Sequence, residues 1–356
     1  MGLARTSITA LAGALIVASA GQAAGASPAA ADACPATTDQ WQAVDLGVIG
    51  RALDINDQGQ IAGWATNAAG RSQAMIWDDG QVIDVGTLGG PTSSASAIDE
   101  DGRVVGNSYT ADSKGHGFLW HNGTMEDLGN FGALTFPRDV SQGVIVGDYV
   151  GLQPDGTRRT HAFVIRNGVK TDLHVVAGSG ASDVNKAGQI AGTHRRTETV
   201  GLPADQQTQR AFLWENGAVT ELGTLGGIWS QASGLNNHGH VVGQSALGAD
   251  GVLQAGFVWS RETGMRSIED GDGLAWPAAI NDNGVIVGTH ACDAAGGAAH
   301  PAVWTDPVHA PVRLPDPAGG SGTAANAINT NGEIVGTAMY PSNQQHAVLW
   351  RPNAAG

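Results

Sequence analysis

Apolar positions along this chain come in short clusters, cut every few residues by Gly, Asn or Asp, and nowhere repeat at the helical period. One phrase recurs: an aliphatic residue, Asn or Asp, a short turn, Gly, two or three apolar residues, and a second Gly. It reads Ile55-Asn56 to Gly59 and Gly63, Ile98-Asp99 to Gly102 and Gly106, and Val140-Ser141 to Gly143 and Gly147, which is one residue short. It continues as Val184-Asn185 to Gly188 and Gly192, Leu235-Asn236 to Gly239 and Gly243, Ile280-Asn281 to Gly284 and Gly288, and Ile328-Asn329 to Gly332 and Gly336. Seven copies at spacings of 41 to 51 residues belong to solenoids or propellers.

Each copy goes on to a small residue, apolar residues and Trp, as in Ala74-Met75-Ile76-Trp77 and Gly117-Phe118-Leu119-Trp120; copy three ends in Ile165 instead. Hairpin dipeptides follow (Asp79-Gly80, Asn122-Gly123, Asn167-Gly168, Asn216-Gly217), whose residues tolerate positive φ, and then a fourth short strand such as Asp84-Val85-Gly86. Four short antiparallel strands per copy describe a propeller blade. The expected fold is all-β: a seven-bladed β-propeller with blades 51–86, 94–129, 135–173, 179–223, 230–269, 276–315 and 324–356. An orphan strand at 43–47 completes the last blade and removes a bare sheet edge.

At these motifs the chain resembles the extracellular HAF-repeat family, on His161-Ala162-Phe163, Thr87-Leu88-Gly89-Gly90 and Thr224-Leu225-Gly226-Gly227. The resemblance covers nearly the whole chain beyond residue 31. It implies an exported repeat protein and brings no established activity with it.

Composition adds location. Arg5 precedes an apolar run, Ile8 to Ala20, too short to span a bilayer, with Ala-x-Ala patterns at Ala18-Ser19-Ala20 and Ala29-Ala30-Ala31. Residues 1–31 therefore read as a cleaved signal peptide, 32–40 as an N-terminal arm and 41–356 as one propeller of an extracellular, monomeric protein that does not insert into a membrane. Acidic residues outnumber basic ones 33 to 18, which argues against a nucleic-acid partner. Two cysteines in an oxidising compartment suggest a disulfide, Cys34 to Cys292.

Candidate chemistry is sparse. Six of the ten tryptophans share one repeat position and read as core, and the paired glycines read as turn and close-approach residues. His116, His161, His300 and His346 recur one per copy, too dispersed for a metal site, and are expected to bond loop backbone. Asp99-Glu100-Asp101-Gly102 and Asn281-Asp282-Asn283-Gly284 resemble calcium loops but lack the later bidentate acid, so they read as hairpin turns. There is no Gly-x-Ser-x-Gly elbow, and neither a cofactor nor a metal is expected.

One group breaks the repeat. Phe136, Arg138, Trp229 and Trp276 lie at the entry to first strands, and Arg158, Arg159, Arg195 and Arg196 lie in long second-to-third connections. Both kinds of loop emerge on one propeller face, and rings beside arginines suit an extracellular polysaccharide or another anionic cell-envelope polymer. The leading expectation is a secreted, non-catalytic binding propeller. The alternatives are a secreted polysaccharide hydrolase or lyase with an acid pair at the channel mouth, and a structural envelope protein.

Overall fold

The computed structural model describes residues 37–153, 156–175, 178–195, 208–268, 274–291, 299–307 and 309–353, all within the compact unit Asp32–Gly356. Cys34, Cys292 and Arg196 lie outside the described residues. Strands and turns make up the whole described chain, with no helix among the described residues. Copies two to six each form a four-stranded antiparallel sheet in simple meander order. Copies one and seven are joined in one seven-stranded sheet.

That junction differs from the expected pair of separate strands. Trp41–Ile55 is continuous: its first part pairs with Gln345–Pro352 of copy seven, from Trp41 opposite Pro352 to Ile49 opposite His346. The second part pairs with Ile61–Thr66 of copy one, from Gly50 opposite Ala65 to Ile55 opposite Ile61. Gly47, at φ +75°, lies where the register slips between Asp45 and Ile49, so one left-handed residue that glycine tolerates turns the strand from one partner to the next. The first strands of successive copies also touch in a cycle, from Trp41–Ile55 through Gly89–Ile98, Leu134–Ser141, Gly180–Val184, Ser230–Leu235, Leu274–Ile280 and Ser321–Ile328 back to Trp41–Ile55.

The repeat residues divide the labour of packing. Each first glycine of the phrase closes a turn at positive φ, Gly59 at +80° and Gly239 at +77° for example. Each second glycine is needed for another reason: a Cβ on Gly63, Gly147 or Gly243 would collide with the carbonyl oxygen of Arg51, Phe136 or Gln231 on the paired first strand. The bare glycine also receives a ring from the third strand. Phe118, Phe163, Phe212 and Phe257 stand opposite Gly106, Gly147, Gly192 and Gly243 and are fully buried. Trp77, Trp259, Trp304 and Trp350 are buried as expected, while Trp120 and Trp214 pack at the core edge.

Hydrogen bonds tie each copy to the next in layers. In the deepest, buried Asn side chains donate to the carbonyl of the equivalent residue one copy on: Asn56 to Asp99, Asn185 to Asn236, Asn236 to Asn281, Asn281 to Asn329, and Asn329 back to Asn56, all at 3.0 to 3.1 Å. The same side chains accept from their own turns, as Asn236 Oδ1 does from the amides of His238 and His240. Asp99 replaces the amide in copy two, and its Oδ2 accepts from the amide of Gly143 in copy three, where the turn is shortened. At the turn tips a further layer runs from the amides of Asp57, Lys186, Asn237 and Thr330 to the side chains of Glu100, Asn237, Asp282 and Asp57. The two calcium-like loops are thus turns, with Asp99 Oδ1 accepting from the amides of Asp101 and Arg103, and Asn281 Oδ1 from those of Asn283 and Val285.

Asn236→Ala strips an acceptor from two turn amides and a donor from a buried carbonyl. It is expected to destabilise the protein by about 2 to 3 kcal/mol, read as a shift in the denaturant midpoint. A shift below about 0.5 kcal/mol would mean that water serves these groups equally well.

Candidate functional site

The site is built by a defect that every copy shares. Each first strand carries a β-bulge one or two residues before the repeat's aliphatic position, between Ala52 and Asp54, Ala95 and Ala97, Pro137 and Asp139, Ala181 and Asp183, Ala232 and Gly234, Pro277 and Ala279, and Ala325 and Ala327. A bulge leaves one residue unpaired and re-aims its side chain. The skipped residues are Leu53, Ser96, Arg138, Ser182, Ser233, Ala278 and Asn326. All but Ala278 line one cavity of about 870 Å³.

The rim of this cavity is cationic. Arg158, Arg159 and Arg195 line it and are exposed, and among the described residues none of the three has a carboxylate partner. Arg138 is held differently: its Nε donates to Asp148 Oδ1 at 2.7 Å, and its guanidinium lies over the Phe136 ring at 5.4 Å from the centroid. Gln209 and Gln231 complete the rim.

Deeper in, the skipped side chains spend their protons on the next copy. Ser182 Oγ donates to the Ala232 carbonyl at 3.0 Å, Ser233 Oγ to the Pro277 carbonyl at 2.7 Å, and Asn326 Nδ2 to the Ala52 carbonyl at 2.7 Å.

One residue further along the strand, copies one, three and four carry Asp54, Asp139 and Asp183 where the others have Ala97, Gly234, Ala279 and Ala327. Each carboxylate caps an amide of the following copy: Asp54 that of Ile98 at 2.8 Å, Asp139 that of Val184 at 2.8 Å, and Asp183 that of Leu235 at 2.6 Å. These carboxyls are partly exposed to the narrow channel yet walled in by protein. Burial, opposed in part by the amide bonds, pushes Asp54 up to about 7. Burial and the neighbouring Asp183 charge hold Asp139 well above the usual carboxylate range.

The structure thus brings together Phe136, Arg138, Arg158, Arg159 and Arg195, and separates the tryptophans from them. Phe136 also faces a second cleft, with Tyr109 and Leu134. Trp229 is half-buried, with its indole N–H donating to the Gly251 carbonyl at 3.2 Å, and Trp276 is half-buried opposite Thr289. Neither lines the arginine cavity. Three of the four repeat histidines also depart from expectation. Rather than loop backbone, His116 meets Asp127 at 2.9 Å, His346 meets Asp45 at 3.0 Å and His161 meets Asp172 at 3.5 Å, stapling third strands to outer ones.

The serines, Asn326 and the three aspartates were not singled out from sequence. An alignment of the copies shows the Asp column as an irregularity just before the aliphatic position, but a bulge has no residue signature of its own.

The carboxyls make stability depend on pH. Between the unfolded value of ~4 and the raised folded values, about 7 for Asp54, the folded state holds protons that the unfolded state has released, so stability is highest in acid and is lost as pH rises through that window. Asp139→Asn keeps an acceptor for the Val184 amide and a donor to Asp183 without titrating. Its stability between pH 5 and pH 8 should fall less than the wild type's in denaturant titrations; an unchanged slope would show that Asp139 is ionised throughout.

No family model and no curated protein matches the chain. Among solved structures, it is similar to the β-propeller domain of the Trilobed protease from Pyrococcus furiosus, described as having an open velcro topology. The TM-score is 0.60 at 10% identity, covering 85% of this chain and 95% of that one. The Pyrococcus horikoshii acylaminoacyl peptidase gives 0.58 at 11% identity over 85% of this chain and 51% of that one, and a puromycin hydrolase 0.58 at 13% over 89% and 55%. The chain spans about half the length of those two enzymes. At such identities the likeness speaks to fold alone: this is an all-β repeat protein with a β-propeller fold.

Proposed function

We propose that this protein is an exported, non-catalytic seven-bladed propeller that binds an acidic extracellular polysaccharide at the arginine-lined mouth of its central channel. What supports seven blades is the shared strand, which serves as the outer strand of copy seven and the inner strand of copy one. The cyclic contacts of first strands and the return of Asn329 to Asn56 support a ring closed by the N-terminal strand. Export rests on Arg5 and the Ile8 to Ala20 run, and the HAF-repeat resemblance agrees with it.

The observation that carries the binding reading is charge placement. In a chain of net charge −15, three guanidiniums without carboxylate partners among the described residues converge on one cavity. Holding like charges together costs free energy that an anionic ligand would offset, with bidentate pairs available to carboxylate or sulfate. The hydrolase alternative asks for two carboxyls about 5 to 9.5 Å apart across a sugar. Asp139 and Asp183 are each occupied with a backbone amide of the following copy, which weighs against that role.

The triple variant Arg158→Gln, Arg159→Gln, Arg195→Gln should bind polygalacturonate at least tenfold more weakly in calorimetry, with a melting temperature within a few degrees of the wild type. Wild-type binding should weaken with added salt. Equal binding by the variant, or equal binding of neutral dextran by the wild type, would overturn the reading.

A further inference from the structure

The arginine cavity is a well and not a groove. Its wall is contributed by residues skipped at the bulges of six copies, so it has support on every side. Asp54 and Asp139, one residue further along their strands, line a separate and much smaller cavity of about 160 Å³. A polymer cannot cross such a space sideways; only an end can enter.

The donors and acceptors are sorted by depth. At the rim, Arg158, Arg159 and Arg195 offer only donors. In the well, Ser182 and Ser233 have given their only protons to backbone carbonyls and Asn326 one of its two, so the serine oxygens and Asn326 Oδ1 present lone pairs to whatever enters. A simple anion satisfies the rim and leaves the well's acceptors unmatched. A fully substituted glycan does the same. The two levels together call for a ligand with free hydroxyl donors at its tip and carboxylates just behind, which is the chemistry of a uronic-acid chain end. A volume of about 870 Å³ is near the upper end of small-ligand pockets, room for a short oligosaccharide and not for a longer run.

Resting on the binding reading above, we infer that the well recognises the terminus of a uronic-acid glycan, with the terminal ring's hydroxyls toward Ser182, Ser233 and Asn326 and the carboxylates on Arg158, Arg159 and Arg195. The interior of the polymer stays outside, so protein binds per chain end and not per unit length.

The probes are trigalacturonate and polygalacturonate cut to a series of lengths. Trigalacturonate should bind one to one, within about threefold of the polymer's affinity per site. Protein bound per gram of glycan should rise in proportion to the number of ends, and O-methylation of the trimer's hydroxyls should weaken it at least tenfold. Ser96→Phe, which fills the well and leaves the rim arginines in place, should cost at least tenfold in trimer affinity. Capacity per gram that stays constant as ends multiply overturns end-on binding while leaving rim binding standing. Unweakened binding by a folded Ser96→Phe protein does so too. If that variant does not fold, the end count decides alone. Absence of binding to any of these glycans overturns the binding reading itself, and this inference with it.

Discussion

A sheet wedge whose inner strand borders a central channel brings many backbone amides and carbonyls together where there is little room for water. The structure depends on giving those groups partners. The Asn side chain at the head of five of the seven turns does this in two directions, accepting from its own hairpin and donating to the carbonyl of the next copy. Buried polar groups are costly alone and inexpensive when fully matched, so the ladder turns a liability of the narrow end into the bond between copies. Around it, hydrophobic packing is largely local, each cluster drawing on two neighbouring copies.

Deviations from the repeat show how strict this requirement is. Copy three has Ser141 where the others have Asn or Asp, and a turn one residue shorter. Asp99 reaches over to the Gly143 amide from one side, and Asp139 takes the Val184 amide on the other. The Asp99 carboxylate serves the shortened turn, while Asp139 makes the same amide contact that Asp54 and Asp183 make in copies one and four. The enclosed aspartates in the channel thus serve backbone hydrogen bonding as much as ligand chemistry, and they lie next to the one bulge that presents an arginine.

Much of the fold was legible because the repeat writes it down. The first Gly marks a positive φ, the second a backbone approach that admits no Cβ, and the Trp column marks buried third strands. The orphan strand at 43–47 did find copy seven, although the chain passes on to copy one without the break that separate strands would need. The site was legible only in part. Arg138, Arg158, Arg159 and Arg195 converge as expected from their loops, but Trp229 and Trp276 do not join them, because a half-buried ring at a strand entry is settled by its own neighbours and not by its repeat position. The well below the arginines was invisible. Its lining is selected by bulges, which arise from strand pairing between residues some ten positions apart and leave no mark in composition.

The meeting of the two ends of the fold has a consequence of its own. The amide of Asn353 donates to the carbonyl of Gln40 at 2.7 Å, and Trp41 stands opposite Pro352. A short linker there would close the backbone into a circle, and fresh termini could then be opened at any exposed hairpin, such as Asn122-Gly123 or Asn216-Gly217, without moving a strand. Connectivity and architecture are thus separable in this molecule: the order of copies around the channel is fixed by the ladder, while the point at which the chain enters that order is free.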